Sequence, residues 1–215
     1  DGSTTHAYFS NPGNVGIGTT SPGAKLTVKG AATAGINQTI NIETGGVAAG
    51  DGGSLSFSLG SFLGSYPNWR IGQIGAIYES TNSFDGALVF KTSTAADGGT
   101  EKMRITSAGN VGIGVIPEVG GNTWQHIQFG GTGNIIARKA DTGLGAMFAN
   151  NYYINSSNVD SAIQTGEAAR VFMSAGDIRF DNAQSVSADA QVTFNTRMKI
   201  LSNGNVGIGT TSPGA

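Results

Sequence analysis

Apolar and polar residues alternate in short runs along most of this chain, and glycine-rich stretches separate the runs. Ser54-Leu55-Ser56-Phe57-Ser58-Leu59 is the clearest case, with serine on one side and Leu or Phe on the other. A period of two is the signature of a strand with one covered face. The same pattern predicts strands over residues 25–28, 87–91, 102–106, 124–129, 134–137, 145–153, 178–180 and 192–200. Within 124–129, His126 and Gln128 alternate with Ile127 and Phe129, which predicts a solvent-facing histidine. Residues 31–42 alternate as well, with Ile36, Ile40 and Ile42 against Asn37, Thr39 and Asn41. Ile71, Ile74 and Ile77 lie among glycines and predict either one bulged strand or a short strand pair over residues 69–78. Residues 45–53 read as a loop and 95–100 as a turn. Residues 161–174 are the single candidate helix, and Thr165-Gly166 argues against a long one. Many short strands at regular spacing predict an almost all-β fold.

One stretch recurs. GNVGIG occupies residues 13–18, 109–114 and 204–209, at intervals of 96 and 95 residues. The identity between Gly13–Ala24 and Gly204–Ala215 extends over twelve residues. Self-similarity at a long period marks a repeat architecture. The spacing predicts a module over residues 13–108 and another over 109–203, with 1–12 ending a preceding module and 204–215 opening a following one. In each copy the branched residues (Val15 and Ile17, Val111 and Ile113, Val206 and Ile208) share one strand face. Gly16 and Gly18, Gly112 and Gly114, and Gly207 and Gly209 share the other. Glycine weakens a strand unless another backbone must come close. A bare face therefore predicts an interchain seam, with chains packed around a common axis. Gly109 and Gly204 fall in the turns that lead into the strand. After it, Pro22 brings a fixed φ and Gly23 stands where a type II turn needs positive φ. The GxG core has no GxGxxG, no following helix and no Lys-Ser/Thr pair, so it does not read as a phosphate loop.

Composition narrows the function classes. The formal charge is −2, from 12 Lys+Arg and 14 Asp+Glu, which gives no basic patch for nucleic acid or an anionic membrane surface. No apolar run approaches the roughly 18 residues of a membrane span. Charged residues are only 12% of the chain, and the 35 glycines lack the every-third spacing of collagen. There is no cysteine, hence no disulfide framework or thiolate metal site. Modules of this size without staples point to oligomerisation as their substitute.

Candidate chemistry is sparse. Asp51, Asp85, Asp97, Asp141 and Asp181 are scattered, and no carboxylate pair suited to glycoside cleavage stands out, so no enzyme activity is expected. His6 and His126 are isolated, and the Asp-Gly-Gly turns lack calcium-loop spacing, so neither metal nor cofactor is expected. Two aromatic groups could stack on sugar rings: Tyr66 with Trp69, and Tyr152 with Tyr153. The competing reading places aromatics in the module cores, and it is favoured for Trp69 and Trp124.

The runs Met103–Gly114 and Asn205–Pro213 resemble the shaft repeats of phage tail fibres and tailspikes, of the type found upstream of intramolecular-chaperone domains. Residues 69–106, with Gly86-Ala87-Leu88-Val89-Phe90, are similar to the same proteins. The resemblance implies an interwoven parallel homotrimer of β-prism- or sandwich-like modules linked by glycine strands. It implies exposure on a virion, with neighbouring fibre segments as partners and a structural part in host-surface adhesion. The chaperone's Ser-Lys self-cleavage dyad is not found in this segment. Similar repeats also occur in bacterial surface proteins. The alternatives are a glycan-binding module of a fibre or adhesin and, behind it, a polysaccharide depolymerase.

Overall fold

In the computed structural model the described residues are 7–10, 13–29, 42, 48–59, 69–80, 85–93, 99–121, 123–139 and 145–214, with no side-chain description at 58, 59, 69 and 70. Most of the alternation at 31–42, most of the turn at 95–100, and Tyr66 lie outside the described residues. The fold is all-β, with seventeen strands and no helix among the described residues. The chain divides into two compact units, Asp1–Thr44 and Gly45–Ala215.

The first unit holds one sheet of β1 (Tyr8–Phe9), β2 (Val15–Ile17) and β3 (Leu26–Val28), in that order. β1 and β2 are antiparallel, β2 and β3 parallel.

The second unit runs β4 (Gly52–Leu59), β5 (Trp69–Tyr78), β6 (Gly86–Thr92), β7 (Thr100–Ile105), β8 (Val111–Ile113), β9 (Trp124–Phe129), β10 (Gly133–Arg138) and β11 (Ala146–Asn150). It continues through β12 (Tyr153–Ile154), β13 (Asp160–Ser161), β14 (Gly166–Ser174), β15 (Asp177–Val186), β16 (Asn195–Ile200) and β17 (Val206–Ile208). Twelve of these form one sheet in chain order, from which β12 and β13 are set aside as a separate pair. Every pairing in the large sheet is antiparallel except β8 with β9. β5 is one strand, and its register slips by a residue near Ile71, which selects the bulged reading. The candidate helix at 161–174 is instead largely β14, whose first residue, Gly166, has φ of 151°. β14 and β15 meet in a two-residue turn, Ala175-Gly176, with both φ values positive as a type I′ hairpin requires.

The three GNVGIG copies share one geometry, and each glycine has its own physical cause. The first (Gly13, Gly109, Gly204) has φ of 82–90° and closes the turn into the strand. There Gly109 N–H donates to Thr106 O at 2.8 Å, and Gly204 N–H to Leu201 O at 2.9 Å. The last (Gly18, Gly114, Gly209) has φ of 70–71°, where a side chain is strained. The middle glycine has ordinary φ but no room. A Cβ on Gly16 would lie 2.3 Å from Thr19 O, one on Gly112 2.2 Å from Val115 O, and one on Gly207 2.6 Å from Thr210 O. At the middle glycine the bare side of the strand is thus filled by the chain's own next residues, whereas the sequence reading gave that side to neighbouring chains; beside Gly114 and Gly209 the space is open. Val115-Ile116-Pro117 differs from Thr-Thr-Ser-Pro yet fills the same place, with Pro117 Cδ 2.6 Å from the same point. Gly23 corrects a second expectation: its φ is not positive, so Pro22-Gly23 is not a type II turn. The segment leads into a parallel strand and has no tight reversal to make.

Candidate functional site

The large sheet has two unlike faces. On one, Trp124, Ile136, Met147, Ala168 and Ala183 are covered by Tyr152, Ile154 and Ala162 around the β12–β13 pair, together with Val192. This is the core of the unit. Trp124 belongs to it, in line with the core reading. The sheet is tied to the β12–β13 pair by Arg170. Its Nε donates to Asp181 Oδ2 at 3.0 Å, and its Nη1 to Tyr152 Oη at 3.0 Å and Asp160 Oδ2 at 3.2 Å. The guanidinium also lies 3.9 Å from the centroid of the Phe194 ring. Thr196 Oγ1 donates to the other oxygen of Asp181 at 2.8 Å. Asp181 therefore sits buried within β15.

Tyr152 and Tyr153 are buried, so neither can stack on a sugar. Their hydroxyls donate inward, Tyr152 to Asp160 Oδ1 at 2.8 Å and Tyr153 to Asp189 Oδ1 at 2.9 Å. Burial, then the Asp189 hydrogen bond, pushes the Tyr153 phenol up to about 12, and burial moves Tyr152 further in the same direction. Of the other sugar candidates, Trp69 opens β5, and Tyr66 lies outside the described residues.

The strand β9 reverses the expected sidedness. His126 and Gln128 are 0% and 1% exposed, while Ile127 and Phe129 are 38% and 45% exposed. The pair is only partly satisfied: the His126 backbone N–H donates to Asn110 Oδ1 at 3.1 Å, Asn134 Nδ2 lies 3.4 Å from His126 Nδ1, and Glu118 N–H donates to Gln128 Oε1 at 2.8 Å, while His126 Nε2 and Gln128 Nε2 are buried without a hydrogen-bond partner. Burial, and secondarily Lys139, lowers the His126 pKa to about 4. The expected surface histidine is a neutral core residue.

The same inversion extends along the sheet. Cross-strand partners lie on one face of a sheet. Leu88 pairs with Ile105, Ile105 with Val111, Val111 with Ile127, and Ile127 with Ile135. Ile135 pairs with Phe148, Phe148 with Val171, Val171 with Phe180, Phe180 with Met198, and Met198 with Ile208. This rung carries one apolar residue on each of ten strands, without a break. A second rung beside it runs Leu55, Ile74, Phe90, Met103, Ile113 and Phe129. Leu55, Ile74, Leu88, Ile113, Ile127, Phe129, Phe148, Phe180 and Ile208 are all exposed in the single chain. Solitary exposed apolar residues are ordinary, but a contiguous patch beyond a few hundred Å² marks an interaction site. With side chains of roughly 150–200 Å² each, these residues leave on the order of 700 Å² of apolar surface open. A stable protein interface covers about 800 Å² per partner.

Four of the six branched residues of the expected seam fall on this face of the large sheet. Val111, Ile113 and Ile208 lie in the rungs, and Val206 shares the face of Ile208. In the first unit, Phe9, Val15 and Leu26 repeat the arrangement of Ile105, Val111 and Ile127. The sequence signal for the whole face was present in the alternation, which gives two faces but not which of them the chain covers itself.

Among the described residues no three His, Asp or Glu side chains converge as a metal site would require. No protein-family model and no curated protein matches the chain.

Proposed function

We propose that this chain is a shaft segment of a trimeric fibre of the phage tail-fibre type. Three parallel copies bury the apolar sheet face against one another, and the fibre stands on a virion surface in support of host adhesion. The uncovered double rung from Leu55 to Ile208 carries this reading, because water contact along twelve strands is a large penalty that self-association removes. The number three comes from the resemblance of Met103–Gly114 and Asn205–Pro213 to fibre shafts. The part played is mechanical: a continuous interchain apolar seam resists bending and local opening. The glycan-binding alternative loses two of its four residues, since Tyr152 and Tyr153 are committed to the core. Size-exclusion chromatography with light scattering at micromolar chain tests the proposal. A mass of three chains is expected. A stable, soluble monomer would remove it.

A further inference from the structure

The outer edge of β17 stands where two other copies of the same motif hold a strand. β2 pairs in parallel with β3, with Val15 opposite Leu26, Gly16 opposite Thr27 and Ile17 opposite Val28. Two bonds frame that pairing: Val15 N–H donates to Lys25 O at 2.8 Å, and Lys29 N–H to Ile17 O at 2.8 Å. β8 pairs with β9 in the equivalent parallel register, and Gly130 N–H donates to Ile113 O at 3.0 Å. β17 has the inner half of this arrangement, with Leu201 N–H on Asn205 O and Gly209 N–H on Arg197 O, both at 2.9 Å. Alternate residues of a strand direct their backbone groups to opposite edges. The amides of Val206 and Ile208 therefore face away from β16, and no described strand lies beyond β17 in the sheet order.

The route to that edge is also duplicated. Gly209–Ala215 has the same sequence as Gly18–Ala24, the connection from β2 to β3. It sets out in the same way: Ser21 N–H donates to Thr19 Oγ1 at 3.2 Å, and Ser212 N–H to Thr210 Oγ1 at 3.3 Å. Thr210 O covers Gly207 as Thr19 O covers Gly16.

We propose that the outer edge of β17 is an acceptor for one parallel strand of the Lys25–Lys29 type, delivered in cis along Gly209–Ala215. Its aliphatic residues lie opposite Val206 and Ile208, and its threonine lies opposite Gly207. Main-chain hydrogen bonds hold it, as in strand addition to an open edge. The geometry requires no neighbouring chain, so it is independent of the trimer.

The test appends Lys-Leu-Thr-Val-Lys-Gly, the sequence of residues 25–30, after Ala215 of the full chain. Amide exchange across residues 205–209 is then read by mass spectrometry. The extension is expected to slow exchange there by about tenfold or more. The same extension with proline in place of its threonine removes the donor to the Val206 carbonyl and should restore fast exchange. Unchanged exchange in the extended chain overturns the proposal, and so does equal protection by the proline version. Equal protection by the free hexapeptide at micromolar concentration overturns delivery in cis. Light scattering on the same samples reports the trimer separately.

Discussion

Phe148 offers the sharpest test of the apolar face. It lies mid-rung between Ile135 and Val171 and is 56% exposed in the single chain. A phenylalanine ring has roughly 150–200 Å² of surface, so about 80–110 Å² is covered on assembly. At about 25 cal/mol per Å², that contributes about 2–3 kcal/mol per copy and about 6–8 kcal/mol per trimer. Each 1.4 kcal/mol is a factor of ten, so Phe148→Asp should weaken assembly by about four to six orders of magnitude. A buried carboxylate adds a further penalty. The lone chain should scarcely notice, because substitutions at open positions usually change stability by less than about 0.5 kcal/mol. Its sequence neighbour Met147 faces the core, so Met147→Asp should unfold the chain itself. Light scattering over a dilution series, with circular dichroism to follow folding, separates the two outcomes. A Phe148→Asp protein with the mass and dissociation point of the parent would refute the reasoning. So would a Phe148→Asp chain that no longer folds.

Four other outcomes are expected. Arg170→Met leaves Asp181 buried without its nearest cation and should lower stability by about 3–5 kcal/mol in urea titration, with part recovered in the Arg170→Met/Asp181→Asn double variant. Gly112→Ala drives a methyl into Val115 O and should cost about 2 kcal/mol or more by thermal melting, whereas Gly114→Asn, at open left-handed backbone, should be close to neutral. His126 has a folded pKa of about 4 against an ordinary 6.5, so the unfolded chain binds the extra proton between those values. Stability from this group is complete above about pH 6.5 and declines by roughly 2–4 kcal/mol as pH falls to about 4, a slope that His126→Gln should flatten in pH-dependent urea melts. Ala175→Asn relieves a non-glycine residue at φ 52° in the β14–β15 hairpin and should raise the midpoint by the equivalent of about 1 kcal/mol.

Strand positions were legible because period-two alternation is a local property, and Ser54–Leu59 and Trp124–Phe129 fall within or on strands. The turn glycines Gly109 and Gly204 were legible for the same reason. Sidedness was not. Whether Ile127 or His126 points into the chain's own core depends on Tyr152–Ile154, a segment distant in sequence that covers one face. Pro22-Gly23 was misread because a proline-glycine pair marks a bend without saying whether the next strand returns or continues in parallel. Tyr152-Tyr153 read as a pair that could stack on sugar rings, yet Asn151 spends its amide on Gln164 O and Glu167 O and holds the segment against the sheet. The Arg170–Asp181 pair was not legible, because Arg170 fell in the candidate helix and Asp181 just beyond the expected strand at 178–180, whereas both stand on paired strands.

Nearly every strand of the large sheet lies beside its neighbour in sequence. A nascent chain can therefore add hairpin after hairpin with little loop entropy to overcome, and secondary structure should form quickly. The consequence is a race. If the apolar face is covered by other copies as proposed, each finished hairpin leaves bare hydrocarbon in water until they arrive, so production in a cell should depend on synthesis rate and on chaperones that hold such intermediates apart.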